Sequence, residues 1–138
     1  MHIQPYLQFN GRCEEAIEFY KAALGAKVQM LMRFKDSPEK HPEGAVRPDM
    51  AEKVMHSTLL VGDSVIHATD GGCTGNGIFS GMALSLTVDN DADAEKRFAA
   101  LSAGGGKVTM PLTKTFFSSK FGMVTDKFGA SWMVLVAR

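Results

Sequence analysis

The chain has 138 residues, 45% of them hydrophobic and 22% charged, which is the composition of one globular domain with its own core. Its 15 basic and 15 acidic residues balance, so no net field favours a nucleic acid or a membrane surface as partner. No run of about 18 apolar residues predicts a membrane-spanning helix. A signal-peptide pattern is absent and the cysteines number two. We therefore expect reduced thiols and a cytoplasmic location.

The first predicted elements are a strand and a helix. Residues 3–9 alternate apolar and polar side chains, which predicts a half-buried strand. The period then changes, because the apolar residues within 13–24 fall on one stripe of a helix. Asn10 is predicted as the N-cap of this helix and Gly25 as its left-handed C-cap.

Three further strands complete a first module. They are predicted over residues 26–34, 53–61 and 64–70. A Gly-Asp turn joins the last two into a hairpin. Residues 35–49 contain three prolines and are predicted to form a loop. The glycine-rich residues 71–81 are predicted to be a linker, and they lack the Gly-Lys-Ser/Thr ending of a phosphate-binding loop.

The second half repeats this order. Residues 82–88 alternate like the first strand, and an acidic stretch then opens a helix predicted to bury Ala94, Phe98 and Leu101. Strands are predicted over 107–112, 119–125 and 131–137. We therefore predict one domain with an internal duplication: module 1 over about 1–70, the linker over 71–81, and module 2 over about 82–138. The predicted fold class is α+β, with two β-α-β-β-β modules forming curved mixed sheets around a central cavity and the helices outside.

Two stretches of this duplicated pattern carry a family resemblance. "AIEFYKAALGAK" is similar to the first helix, and "VTDKFGASWMV" to the closing turn and strand, of the vicinal oxygen chelate superfamily. That superfamily includes glyoxalase I, bleomycin and fosfomycin resistance proteins and extradiol dioxygenases. More narrowly, "PYLQFNGRCEEAIEFYKAALGA" with "FGMVTDKFGASWMV" resembles its PhnB-like branch, often labelled a 3-demethylubiquinone methyltransferase. We reject that label for this chain, because its first strand leads into "NGRCEEA", which has one glycine rather than a glycine-rich methyl-donor loop.

The resemblance implies metal ligands on inward faces of the first and last strands of each module. The matching positions here are Gln4, His67, Ala83 and Met133. An ungapped alignment would replace Gln4 by Pro5, which cannot ligate. Alanine has no donor atom, and a thioether suits copper(I) rather than zinc, nickel, manganese or iron. A catalytic site keeps three protein ligands, so we expect no cofactor. If a divalent metal does bind, we expect His67 to hold it with His56 or Gln4.

Polar and aromatic side chains on the predicted inward faces favour a small-molecule pocket. Its predicted lining is Gln4, Tyr6, Gln8, His56, His67, Ser85, Thr87, Phe116, Phe121 and Met133. Two alternatives stay open: the phenylalanines fill the core, and the histidines are hydrogen-bonded structural residues. Asp126 is predicted to fix a turn, Trp132 to pack in the core or an interface, and Cys73 to be unreactive.

The sequence therefore predicts a PhnB-like protein that binds a small molecule in a cavity without the usual metal. The alternative is a glyoxalase- or dioxygenase-type metalloenzyme, a lyase or oxidoreductase, with a rearranged site around His56 and His67. The sequence leaves open which of the two holds, and it identifies no catalytic residue. The resemblance also implies a homodimer, so the expected partners are a small-molecule ligand and a second copy, with no nucleic acid and no membrane.

Overall fold

The computed structural model describes residues 1–38, 48–71 and 79–137. The chain forms two compact units, Met1–Gly77 and Ile78–Arg138. The first contains β1 (Tyr6–Gln8), α1 (Cys13–Leu24), β2 (Lys27–Arg33), β3 (Val54–Val61) and β4 (Ser64–Thr69). The second contains β5 (Leu84–Val88), α2 (Asp91–Ser102), β6 (Lys107–Thr113), β7 (Phe121–Thr125) and β8 (Ser131–Val136). The predicted α+β class and the two β-α-β-β-β modules are confirmed.

Each unit has one four-stranded sheet, in the orders β1-β4-β3-β2 and β5-β8-β7-β6. β1 and β4 run parallel, as do β5 and β8, whereas the other pairs are antiparallel. Both sheets are therefore mixed and open. The register sets Tyr6 opposite His67 in the first sheet and Ser85 opposite Met133 in the second. The predicted central cavity stays a prediction.

The helix α1 covers one face of the first sheet. Its buried side chains are Cys13, Ala16, Ile17, Tyr20, Ala23 and Leu24. They pack against β3 and β4, where Leu59 and Ala68 are also buried. Fully burying one large apolar side chain is worth about 1.5–3 kcal/mol, so this stripe anchors the helix. Gly25 ends it in the left-handed region with φ 68°, as predicted.

The start of α1 differs from the prediction. Asn10 has φ 51° and Arg12 occupies the N-cap position without a side-chain cap, so the prediction of Asn10 as N-cap is wrong. The carboxylate of Asp70 instead accepts hydrogen bonds from the backbone N–H groups of Gly11 and Cys13, at 2.7 and 2.9 Å. Asp70 directly follows β4, so the cap comes from a neighbouring strand rather than from the local sequence.

Several predicted boundaries also change. The strand predicted over residues 3–9 is shorter, spanning Tyr6–Gln8, because Pro5 has no N–H with which to extend the ladder. Ile3, before this proline, is 99% exposed. The loop predicted over 35–49 contains single-turn 3₁₀ helices at Phe34–Asp36 and Pro48–Met50, and its residues 39–47 lie outside the described residues. The same holds for residues 72–78 of the linker, including Cys73.

The second helix follows its prediction closely. The Asn90 side chain caps α2 by accepting from the Asp93 N–H at 2.8 Å, and Ala94, Phe98 and Leu101 are buried. The acidic stretch starts a helix because the Asn90 side chain accepts a hydrogen bond from a backbone N–H that has no partner within the helix. Neither helix of the described residues is long and apolar enough to cross a membrane.

Candidate functional site

The face of the first sheet opposite α1 carries a group of polar side chains. Leu7, Leu59 and Ala68 are buried on the helix side. Side chains alternate between faces along a strand, so their neighbours Tyr6, Thr58 and His67 lie on the other side. The register sets Tyr6 and Thr58 on either flank of His67.

Five of these side chains form a continuous series of short contacts, which we call the polar chain. The distance from Tyr6 Oη to His56 Nδ1 is 3.2 Å, and from His56 Nε2 to Thr58 Oγ1 it is 3.5 Å. Thr58 Oγ1 lies 3.3 Å from His67 Nδ1, and His67 Nε2 lies 2.7 Å from Gln4 Oε1. The four hydrogen bonds join β1 and the segment before it to both strands of the hairpin.

The three rings of the polar chain also stack on one another. Ring centroids are 5.6 Å apart for Tyr6 and His56, 5.8 Å for Tyr6 and His67, and 5.3 Å for His56 and His67. Each pair of planes is inclined by 25°. Offset stacking of this kind adds to the stability gained by burial. The rings therefore have limited freedom to turn away from their hydrogen-bond partners.

The electrostatics of the polar chain favour an uncharged His56. Partial burial of His56 lowers its pKa below the usual value, and the neighbouring His67 lowers it further. His56 is thus neutral at pH 7. A site with two imidazoles, a phenol, a hydroxyl and an amide can hold a ligand through hydrogen bonds.

The remaining predicted lining residues belong to the second unit, apart from Gln8, which follows Tyr6 by two residues and is exposed. Ser85 lies opposite Met133, and Met133 opposite Met123, on the face of the second sheet away from α2. Thr87 and Phe121 flank Leu135 on that same face.

The three phenylalanines of segment 114–121 differ in exposure: Phe116 is largely exposed, whereas Phe117 and Phe121 are partly covered. The ring of Phe117 contacts those of Phe116 and Phe121, each at 5.1 Å between centroids. Phe116 is 87% exposed, so the alternative that these phenylalanines fill the core does not hold for it.

The residues at the implied metal positions do not fit a hard or borderline dication. Ala83 has no donor, and Met133 offers only a thioether. The two better candidates, Gln4 and His67, are hydrogen-bonded to each other. Within the described ranges, no three His, Cys, Asp or Glu side chains are grouped so that they could hold a metal ion. The absence of a cofactor remains a prediction that rests on this donor set.

Thr58 is the member of the polar chain that sequence reasoning missed. The predicted hairpin contained the necessary signal, because Thr58 is two residues from His56 and lies opposite His67. A threonine on a strand is common, however, and only the hairpin register shows that its hydroxyl bridges two imidazoles. His56 and His67 lie on the two strands of the predicted hairpin, with their ring centroids 5.3 Å apart.

Other singled-out residues have structural roles. Asp126 accepts from the N–H groups of Phe128 and Ala130 and from the Trp132 indole, so its predicted turn role is confirmed. Trp132 is buried in the core. Burial raises the pKa of the Cys13 thiol to about 12, with the nearby Asp70 charge adding to the effect. This thiol is therefore a poor nucleophile.

Comparison with known proteins decides the family. The family described as Glyoxalase/Bleomycin resistance protein/Dioxygenase superfamily matches residues 2–134. The chain belongs to this superfamily. Among its relatives in the superfamily, Protein YjdN of Escherichia coli strain K12 is 34% identical over 145 residues, which cover 100% of this chain and 97% of that protein. The resemblance stated from the sequence is confirmed.

Solved structures of superfamily members agree. Protein PA1353 from Pseudomonas aeruginosa has a TM-score of 0.84 and 40% identity, covering 99% of this chain and 98% of that one. A protein from Bacillus cereus, described as a putative 3-demethylubiquinone-9 3-methyltransferase, PhnB protein, has a TM-score of 0.79 and 27% identity, covering 99% and 100%. The chain described here is therefore related both to YjdN and to a PhnB protein.

Proposed function

We propose that this protein binds a small molecule at the polar chain, without a metal ion. The proposed site lies on the face of the first sheet opposite α1. The observation that carries the proposal is the polar chain itself. Four hydrogen bonds and three stacked rings fix its polar groups on a face where Tyr6 is 51% exposed. Preorganised polar groups of this kind set the orientation of a ligand.

Apolar side chains beside the polar chain support the same proposal. The edge strand β2 places Met30 opposite Thr58 and Met32 opposite His56. Methionine side chains are flexible and polarisable, and they adapt to ligands of different shape. A few fixed polar anchors next to adaptable apolar surface is the usual composition of a small-molecule site.

Neither of the two enzymatic alternatives is part of the proposal. A metalloenzyme centred on His56 and His67 would need a cation to displace a hydrogen-bond partner from each ring, because Tyr6, Thr58 and Gln4 already contact all four ring nitrogens. Methyl transfer, the activity in the description of the B. cereus protein, would need a donor-binding loop. Here the stretch between β1 and α1 contains a single glycine, Gly11.

The proposal is tested by a fragment screen using ligand-observed NMR in buffer with EDTA. Each compound that binds the wild type is measured again with His67→Ala, which removes two hydrogen bonds of the polar chain. We expect affinity to fall at least tenfold, because a site that loses its fixed geometry loses its orientation of the ligand. The matched control is His2→Ala, since His2 is an exposed histidine outside the polar chain. Equal affinity of both variants would contradict the proposal.

The proposal also includes a homodimer in the cytoplasm. The homodimer is expected from the family resemblance, and the location from the small number of cysteines, two in the chain. Light scattering on the purified chain tests the first expectation, with twice the mass of 14.9 kDa as the predicted result. A mass of one chain across the concentration range would contradict it.

A further inference from the structure

The orientation of the Gln4 amide sets the direction of hydrogen bonding along the whole polar chain. The Oε1 atom of Gln4 can only accept, so the proton between it and His67 belongs to His67 Nε2. A neutral imidazole carries one ring proton, and in neutral His67 that proton lies on Nε2. His67 Nδ1 is then an acceptor, and the hydroxyl of Thr58 must donate to it.

The direction of the bond between Thr58 and His67 also determines the direction of the bond between Thr58 and His56. A hydroxyl has one proton, and Thr58 uses it on His67, so Thr58 Oγ1 accepts from His56 Nε2. The neutral His56 is left with Nδ1 as an acceptor, and the Tyr6 hydroxyl donates to it. Every link is satisfied, and both histidines carry their proton on Nε2. Turning the Gln4 amide by 180° would reverse every link.

The direction determines what the ends of the polar chain offer to a ligand. The Tyr6 proton is held by His56, so the exposed Tyr6 oxygen presents lone pairs. Gln4 is also exposed, and its oxygen is held by His67, so its amide nitrogen presents N–H donors. The two ends differ in character: one accepts and the other donates.

We propose that the polar chain is a one-directional hydrogen-bond relay from Tyr6 to Gln4, and that it selects ligands carrying a hydroxyl or N–H donor for the Tyr6 oxygen. This inference rests on the proposed function, because it names the ligand class of the same site. It makes Thr58 a specificity-determining residue that need not touch the ligand.

At acidic pH the hydrogen bond between Tyr6 and His56 reverses its direction. Protonation of His56 adds a proton at Nδ1, so Tyr6 must accept there and its own O–H turns outward. The groups facing His56 are Tyr6 from β1 and His67 from β4, while β2 sets the uncharged Met32 opposite it. Below the pKa of His56 the site therefore offers a donor in place of an acceptor.

The direction is tested by long-range proton–nitrogen NMR of the histidine rings at pH 8. We expect His56 and His67 to carry hydrogen on Nε2, with both N–H protons protected from exchange. Thr58→Val removes the hydroxyl and should abolish protection at His56, whereas Thr58→Ser, which keeps the hydroxyl, should retain it. Hydrogen on Nδ1 of both rings at pH 8, or unchanged protection at His56 in Thr58→Val, would overturn the relay.

The ligand class is tested with a matched pair of probes, benzyl alcohol and benzyl methyl ether. At pH 8 the alcohol should bind about fivefold tighter, the usual net effect of one hydrogen bond. The ratio should fall towards 1 in Tyr6→Phe and, for the wild type, when the pH is brought below the pKa of His56 measured by NMR titration of its ring. Equal binding of the two probes, or binding of neither, would overturn the ligand class. The fragment screen with His67→Ala judges the proposed function separately, since it requires no particular donor.

Discussion

At the scale of single residues, two buried aspartates connect the ends of strands to neighbouring backbone. Asp70 follows β4 and accepts from Gly11, Cys13 and, at 3.2 Å, from Val54. Asp126 follows β7 and accepts from the N–H groups of its own turn and from an indole. Charged acceptors make such hydrogen bonds stronger than neutral ones do. Each carboxylate therefore fixes the approach to one helix or strand of its unit.

Asp126→Asn should destabilise the protein by about 2 kcal/mol, because one amide N–H₂ would face the Trp132 indole N–H and leave buried donors unmatched. In a Trp132→Phe background, which lacks the indole N–H, the same change should cost at least about 1 kcal/mol less. Urea unfolding of the four proteins of this cycle measures both values. Additive effects of the two substitutions would show that Asp126 and Trp132 are not coupled.

Cys13 makes stability depend on alkaline pH. Its pKa is raised from 9.0 to about 12 in the folded protein, mainly by burial and next by the charge of Asp70. Between these values the unfolded chain loses the thiol proton and the folded chain keeps it. The stability that Cys13 contributes is therefore complete below pH 9 and lost as pH rises towards 12.

In a Cys73→Ser background, we expect the free energy lost on Cys13→Ala to shrink by about 1.4 kcal/mol between pH 7 and pH 10. Urea unfolding at both pH values gives the two differences, and the alanine variant serves as control for all other titrating groups. A difference that stays constant with pH would mean that the thiol ionises equally in both states.

At the scale of elements, close packing of α2 on β7 depends on a glycine. A Cβ atom at Gly122 would lie 2.8 Å from Phe98 Cε2 and 3.0 Å from both Leu112 Cδ2 and the Met110 oxygen. These distances are shorter than van der Waals contact, so a larger residue would push the helix or the strand β6 away. Buried Phe98 fills the space that the glycine leaves.

Gly122→Ala should therefore destabilise the protein by about 1–3 kcal/mol through overpacking. Adding Phe98→Leu removes the nearest ring atom and should recover part of this loss, so the double variant should be less destabilised than the sum of the two single variants. Thermal unfolding followed by circular dichroism compares the four proteins. An additive double variant would place the strain elsewhere.

Most elements follow from the sequence, because periodicity is a local property. The stripe of α1, the Gly25 cap and the hairpin of β3 and β4 all lie within short windows of the chain. The N-cap of α1 does not, since Asp70 lies 57 positions after the N–H of Cys13 that it binds. Local patterns therefore favoured Asn10, which has polar chemistry suited to a cap.

The sequence predicted most residues of the candidate site but not the hydrogen bonds that connect them. Gln4, Tyr6, His56 and His67 were predicted from strand alternation, the hairpin and the positions that the resemblance implies, and the structure joins these four through Thr58. Thr58 was missed because its importance arises from the pairing register of two strands. The direction of the hydrogen bonds required the positions of individual atoms, which periodicity does not supply.

At the scale of the whole molecule, the superfamily assignment fixes the fold but does not by itself fix the reaction. The chain keeps the duplicated architecture while it has alanine and methionine at two of the implied metal positions. At the other two positions, Gln4 and His67 are hydrogen-bonded to each other. Binding by shape and hydrogen bonds is the activity that we propose for this arrangement.

Metal content tests this view of the molecule. Protein purified without chelators, and again after incubation with zinc, nickel, manganese or iron(II), should retain well below one metal ion per chain by plasma mass spectrometry, because Gln4 and His67 bind each other. Near-stoichiometric metal in the wild type that disappears in His67→Ala would instead support the metalloenzyme alternative.

The most direct measurement of the central claim is isothermal titration calorimetry with the tightest compound from the fragment screen. Titrations into the wild type are carried out in EDTA and again after addition of zinc, and into His67→Ala and His2→Ala in EDTA. We predict equal affinity with and without zinc, at least tenfold weaker binding to His67→Ala, and no change for His2→Ala. Binding that requires zinc, or that His67→Ala leaves intact, would contradict metal-free binding at the polar chain.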